Sequence, residues 1–182
     1  MSFKVKKMDL EMESKTEGIN AKISGERNVS IKVALTAITA ALYIALGYIF
    51  QPLNFLGLQF RVAELIVGMS ILFPLEGLVG NVIGVFFVNL TSPLGPIDLI
   101  SCIVNIPALY CIVLFRDKKI LKYLGGVLYS IIISIYVAIV LNLVFMLPIW
   151  LMFVQVLIAE IILTSLGILI FDIIRIRLGH DI

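Results

Sequence analysis

Charge is scarce in this sequence. Only 14% of its 182 residues are Asp, Glu, Lys or Arg, while 61% are hydrophobic. Ordinary soluble domains carry roughly 25% charged residues. Mean hydropathy is +1.13. A water-soluble globule of this size lacks the interior to hide so much apolar surface. A soluble enzyme, a nucleic-acid binder and a disordered chain are therefore excluded. Histidine is nearly missing, with His180 as the single instance. No His/Cys/carboxylate cluster at metal-ligand spacing and no H-E-x-x-H occurs, so no metal is called for. The G-x-x-x-x-G-K-[ST] phosphate loop is absent, which excludes ATP hydrolysis by that route. The two cysteines, Cys102 and Cys111, share one apolar segment. There they read as small core residues rather than a disulfide. Asp98 is the one aspartate well inside an apolar run, with Asp172 near the end of another, so a pair of facing catalytic aspartates is poorly supported. The sequence calls for no cofactor, and enzyme chemistry has little to stand on.

What is present is a succession of apolar runs broken by Pro, Gly, Asn and charge. At about 20 residues per spanning helix there is room for roughly six. The runs read as spans near 33–50, 60–73, 76–90, 97–115, 123–147 and 149–174, the second and third being short. They are too long, and alternate too little, for β-barrel strands. The expectation is an all-α integral membrane protein with six transmembrane helices. Twelve of the 26 charged residues fall in the first 32 positions. That stretch reads as a polar, flexible tail over 1–28, followed by a membrane domain over 29–178 and a short end at 179–182. It does not read as a signal peptide, being long and acidic with no short apolar core and cleavage site after it. Basic residues collect on the cytoplasmic side of membranes. With six spans and the N-terminus inside, 13 of the 14 basic residues lie inside, in the tail, in the loop 116–122 and around Arg175 and Arg177. The outer connections near 51–59, 91–96 and 147–149 hold no Lys or Arg, and Arg61 sits at the outer mouth of span two. Both termini are thus expected in the cytoplasm.

A charge at mid-bilayer costs roughly 2.5–3.5 kcal/mol on insertion scales, so each polar group within a span is a functional candidate. Arg61 and Glu64 stand three apart at the start of span two. Asn89 ends span three. Asp98, Ser101 and Asn105 make an i, i+3, i+7 stripe entering span four. Asn142 lies near the outer end of span five. On span six, Trp150, Phe153, Glu160 and Thr164 fall on one face, with Glu160 about 16 Å from the outer end. Most of these groups share the outer half of the bilayer on five helices, a pattern that suits a small-molecule site open to the outside. A polar ligand with a flat ring fits it, with carboxylates and amides for the ring edges and Trp150 or Phe153 for a face. Each residue also has a plainer reading. Arg61 and Glu64 pair with each other, or Asp98 caps a helix. Asn89, Asn105 and Asn142 are interhelical glue, and Trp150 is an interfacial anchor. Glu160 is hardest to read plainly, because it has no local basic partner. Asp172 is expected beside Arg175.

Small residues mark two smooth faces. Ala37, Ala41 and Ala45 recur at steps of four on span one, and Gly80 and Gly84 on span three. Such faces let another helix approach closely, either within the chain or from another membrane subunit.

The stretch Gln59-Phe60-Arg61-Val62-Ala63-Glu64, followed by Asn89-Leu90-Thr91-Ser92-Pro93-Leu94-Gly95-Pro96-Ile97-Asp98, resembles the QueT family. The likeness covers roughly residues 30–178. Members of that family are substrate-binding (S) components of energy-coupling factor transporters, linked to queuosine precursors. The resemblance implies six helices and a vitamin-like solute captured near the outer face. It also implies docking on a transmembrane coupling protein that carries two ATPases. In that setting the face of Ala37, Ala41 and Ala45 makes the docking contact, and residues 51–59 act as a lid. The implied ligand is a deazaguanine base, whose guanine-like edge offers adjacent N–H donors to a carboxylate such as Glu160 or Glu64. An S component for riboflavin or thiamine, and a self-sufficient carrier driven by protons through Glu160, remain as alternatives.

Overall fold

The computed structural model describes residues 28–55 and 60–178. The expected tail over 1–28, apart from Asn28, and the end at 179–182 lie outside the described residues. Helix α1 covers Asn28–Ile49. It is followed by α2 (Gln51–Phe55), a 3-10 helix (Val62–Gly68) that runs into α3 (Met69–Leu72), and α4 (Pro74–Asn89). A second 3-10 helix (Gly95–Ile100) then runs into α5 (Ser101–Phe115), and the long helices α6 (Leu121–Phe145) and α7 (Ile149–Arg177) complete the chain. Among the described residues every regular element is helical. The chain divides into two units between Ala34 and Leu35, and the packing described below is that of Leu35 onward.

The breaks fall where local chemistry places them. Pro74 opens α4 at a position that needs no N–H, and Phe73 before it is extended at φ −126°, ψ 90°. Pro148 precedes α7 in the same way, with ψ 119°. Between α6 and α7, Met146 adopts the left-handed conformation at φ 55°. The Asn142 side chain holds that turn by donating Nδ2–H to the Leu147 carbonyl at 2.8 Å.

Among the described residues four helical stretches are long and apolar enough to cross a membrane: Asn28–Ile49, Gly95–Phe115, Leu121–Phe145 and Ile149–Arg177. Val62–Leu72 and Pro74–Asn89 are apolar but shorter. In the expected second span the stretch Val62–Gly68 is 3-10 helix, which rises about 2.0 Å per residue instead of 1.5 Å. It therefore reaches further than its residue count suggests. The expected outer loop 51–59 opens with the short α2, and residues 56–59 lie outside the described set.

Large apolar side chains cover the outside of the helices, and the buried polar groups lie among apolar cores. Ile103, Tyr110, Leu151 and Ile158 are exposed, while Glu64, Asp98, Ser134, Glu160 and Thr164 are buried. One apolar core joins Ile71, Leu109, Ile112, Ile133, Leu141 and Ile168. A second gathers Tyr43, Ala63, Ile66, Met69, Val85 and Val88. Close crossings use glycine. A Cβ on Gly84 would lie 2.6 Å from Tyr43 Cβ, and one on Gly80 would lie 2.7 Å from the Thr36 carbonyl oxygen. The Gly80/Gly84 face is therefore spent on α1 within the chain. Ala37, Ala41 and Ala45 lie on the other side of α1 and are all exposed, whereas Thr39, Ala40, Tyr43 and Gly47 turn inward.

Candidate functional site

The buried polar groups converge where the 3-10 helix Val62–Gly68 meets α1, α5, α6 and α7. Glu64 is the hub. Tyr43 of α1 donates its hydroxyl to Glu64 Oε1 at 2.7 Å, and Tyr129 of α6 donates to Oε2. The Tyr129 hydroxyl also stands 3.0 Å from Asn105 Oδ1 of α5. A phenol has one proton, so Tyr129 serves one of these two acceptors at a time. The Asn105 amide is held in turn by donation to the Ser101 carbonyl at 3.0 Å. One carboxylate thus ties together two helices besides its own, and Asn105 of α5 stands at the same tyrosine hydroxyl.

Arg61 precedes the same 3-10 helix, and its guanidinium faces Asp98 at 3.8 Å rather than Glu64. This is a charge pairing at long range: Arg61 Nη2 and both Asp98 carboxylate oxygens are buried with no hydrogen-bond partner among the described residues. Glu160, near the middle of α7, is 1% exposed. Neither of its carboxylate oxygens has a hydrogen-bond partner among the described residues, and the same holds for Thr164 Oγ1 one turn on and for Ser134 Oγ on α6. Glu160 lies within electrostatic reach of Glu64 and Arg61. Arg61 in turn senses Asp98, Glu64 and Glu160. Among the described residues the guanidinium thus pairs with Asp98 alone, while Glu64 and Glu160 feel its charge at longer range.

Buried polar atoms in native proteins are nearly always hydrogen-bonded. The unpartnered ones here sit on the second 3-10 helix (Asp98), α6 (Ser134), α7 (Glu160 and Thr164) and the segment of Arg61, and polar groups of this kind inside membrane helices are candidates for function. Among these atoms the four carboxylate oxygens of Asp98 and Glu160 face a single guanidinium nitrogen, Arg61 Nη2, and two hydroxyls.

The expected site residues divide in two. Arg61, Glu64, Asp98, Asn105 and Glu160 are brought together. Asn89, Asn142 and Trp150 are not part of this group. Asn89 spends its amide on the Asp98 carbonyl at 3.1 Å and on Ser101 Oγ at 2.6 Å, fastening α4 to the start of α5. Asn142 holds the α6–α7 turn, as described. Trp150 is 80% exposed. With Ile135, Ala138, Ile139, Ile149 and Phe153 it lines an apolar groove of about 390 Å³. It meets Phe153 edge to face, with centroids 6.3 Å apart. Asp172, expected beside Arg175, forms an ion pair with Lys122 of α6.

The sequence reading missed Tyr43 and Tyr129. A signal existed, since a tyrosine deep in an apolar run must find a partner for its hydroxyl. Which partner it finds depends on helix faces that meet across 65 positions of sequence.

The QueT transporter family model matches residues 33–175 of the chain. No curated protein and no solved structure matches it.

Proposed function

The chain belongs to the QueT transporter family, and on that premise we propose that it is the substrate-binding component of an energy-coupling factor importer. It is a multi-pass membrane protein whose cargo is a small molecule. In our reading it has six membrane-crossing helices with both termini in the cytoplasm. It captures a deazaguanine precursor of queuosine or archaeosine outside and hands it inward through a coupling protein with two ATPases.

The observation that carries this reading is the Glu160 carboxylate, buried and without a hydrogen-bond partner among the described residues. A guanine-like edge presents two adjacent N–H donors, and a carboxylate accepts both side by side. Arg61 and Asp98 offer one donor group and one acceptor group for the remaining edge of the base. Glu64 already receives two tyrosine hydroxyls, so it shapes the site instead of holding the ligand. With Trp150 outside the cluster, the ring face is left to other side chains.

Equilibrium binding to the detergent-purified full chain, without partners, tests the proposal. The panel holds deazaguanine precursors, guanine, riboflavin, thiamine and biotin. Tight one-to-one binding of a deazaguanine is the expected result. Tight binding of riboflavin or thiamine keeps the class of protein and discards the substrate. No binding by a folded sample, together with uptake by the chain alone that follows a proton gradient and disappears in Glu160→Gln, would assign it as a self-sufficient carrier.

A further inference from the structure

At the end of the bundle where α5 stops, α6 begins and α7 finishes, there is a polar cavity of about 280 Å³. It is lined by Arg116, Lys119, Lys122 and Arg175 together with Asp117 and Asp172. Four cations against two carboxylates leave a formal surplus of positive charge. The cations are held in place. Lys122 pairs with Asp172. Arg175 meets Asp117 at 2.8 Å and also donates to the Arg116 carbonyl at 3.2 Å. Arg116 meets Asp117 at 3.3 Å. Lys119 is exposed and makes no ion pair among the described residues. Helix α6 opens at this end with no acidic residue in its first turn and no side-chain cap. Its dipole adds to the positive potential.

The surface beside the cavity is apolar. Ile120 is 81% exposed, and Leu114, Leu124 and Ile176 are also exposed. A basic pocket that shelves onto bare aliphatic side chains fits an amphiphile with an anionic head. We propose that this cavity binds the phosphate headgroup of an anionic phospholipid, with the acyl chains lying along the exposed faces of α5 and α6. Guanidinium forks and ammonium groups are the standard donors to phosphate oxygens. Basic pockets between membrane helices take anionic lipid heads. Free inorganic phosphate shares that head chemistry but makes no use of the aliphatic shelf. The site is separate from the Glu160 cluster and does not depend on which solute that cluster takes.

Native mass spectrometry of the full chain in mild detergent tests this, with phosphatidylglycerol, phosphatidylcholine and inorganic phosphate as probes. Phosphatidylglycerol is expected to be retained over phosphatidylcholine by about five-fold or more, since each cation near a headgroup contributes about 1 kcal/mol. Arg116→Gln combined with Lys119→Gln brings the two lipids close to parity. Lys118→Gln, on the same loop but outside the lining, leaves the preference intact. Lys119→Gln alone, at an exposed position, lowers it in part and keeps the test open should the double variant not fold. Equal retention of both lipids overturns the proposal. So does an equal loss in Lys118→Gln, which would reduce the effect to general surface charge. Displacement of the lipid by millimolar phosphate would assign the cavity to free phosphate instead.

Discussion

Two buried glutamates on neighbouring helices have opposite circumstances, and the difference predicts opposite behaviour. Glu64 has both oxygens occupied by tyrosine hydroxyls, whereas Glu160 has neither occupied among the described residues. Glu64→Gln sets an amide N–H₂ against a hydroxyl that had an acceptor. It should lower stability by about 1–3 kcal/mol, the usual consequence of spoiling a buried hydrogen bond. Glu160→Gln removes no protein–protein hydrogen bond that the structure shows. Thermal unfolding should leave it at or above the parent, while ligand affinity drops by ten-fold or more, roughly one lost charge-assisted hydrogen bond. The two measurements together separate support from contact. Equal loss of stability in both variants would put Glu160 in the framework as well. The polar residues of this site were legible one at a time, because charge inside an apolar run stands out. Their division of labour was not. Asn89, Asn105 and Asn142 look alike in sequence and all three amides close on backbone carbonyls, yet Asn105 also places its Oδ1 at the Tyr129 hydroxyl that serves Glu64. That difference depends on which helix faces meet, which periodicity does not describe.

At the scale of elements, the 3-10 helix Val62–Gly68 is pressed against α7 through paired glycines. A Cβ on Gly68 would sit 2.3 Å from the Gly167 carbonyl oxygen, and one on Gly167 would sit 2.3 Å from the Leu65 carbonyl oxygen. Both obstacles are backbone and cannot swing aside. Gly167→Ala should therefore be worse than an ordinary overpacked core position, which costs about 1–3 kcal/mol. Its signature is loss of folded yield or a lower unfolding midpoint, with the site carried by Arg61 and Glu64 displaced alongside. Gly95 is the contrasting case, with φ +77° and nothing near its missing Cβ. Gly95→Asn should be tolerated, since Asn accepts the left-handed region. Similar midpoints for Gly167→Ala and Gly95→Asn would contradict the crossing. The breaks between helices were readable from Pro74, Pro96 and Pro148, because proline restricts both itself and its predecessor. That half of span two is 3-10 was not readable, nor was its glycine crossing with a helix about a hundred positions away.

The loop between α5 and α6 is tied to α7 by charge. Slight burial pushes the Asp117 carboxyl up, but hydrogen bonding and charge from Arg175 and Arg116 outweigh it and leave the group below its ordinary value. A carboxyl depressed on folding contributes stability above its unfolded value and loses it as pH falls through the folded one. Asp117 is more than half exposed, so the contribution is small, on the order of 0–1 kcal/mol. Asp117→Asn should flatten that part of the acid limb of stability, measured by thermal unfolding at descending pH in low salt. An unchanged acid limb would mean that the pairs are surface ornaments.

For the molecule as a whole, the distribution of polarity is that of a membrane protein, and it isolates one surface for which lipid is a sufficient but not a specific explanation. Most exposed positions on the helices are large aliphatic or aromatic residues, such as Ile103, Leu143, Leu151 and Ile158. Lipid chains pack well against these. The outward stripe of Ala37, Ala41 and Ala45 is different, because three exposed alanines at one-turn spacing give lipid little to grip but let another helix approach closely. The glycine face on α4 is already used against α1, which leaves the alanine face as the smooth surface with no partner in the described packing of this chain. In the importer proposed above, the coupling protein docks there. Ala41→Leu should then leave solute binding by the isolated chain unchanged, since residue 41 points away from Tyr43 and the buried cluster. It should reduce co-purification with the coupling protein by ten-fold or more, because a leucine holds apart two backbones that must nearly touch. Ala41→Gly at the same position should retain assembly, which distinguishes a steric block from loss of a contact. If Ala41→Leu assembles as the parent does, the docking surface lies elsewhere and the alanine stripe faces only lipid. If it loses solute binding as well, the stripe supports the fold of α1 and says nothing of a partner.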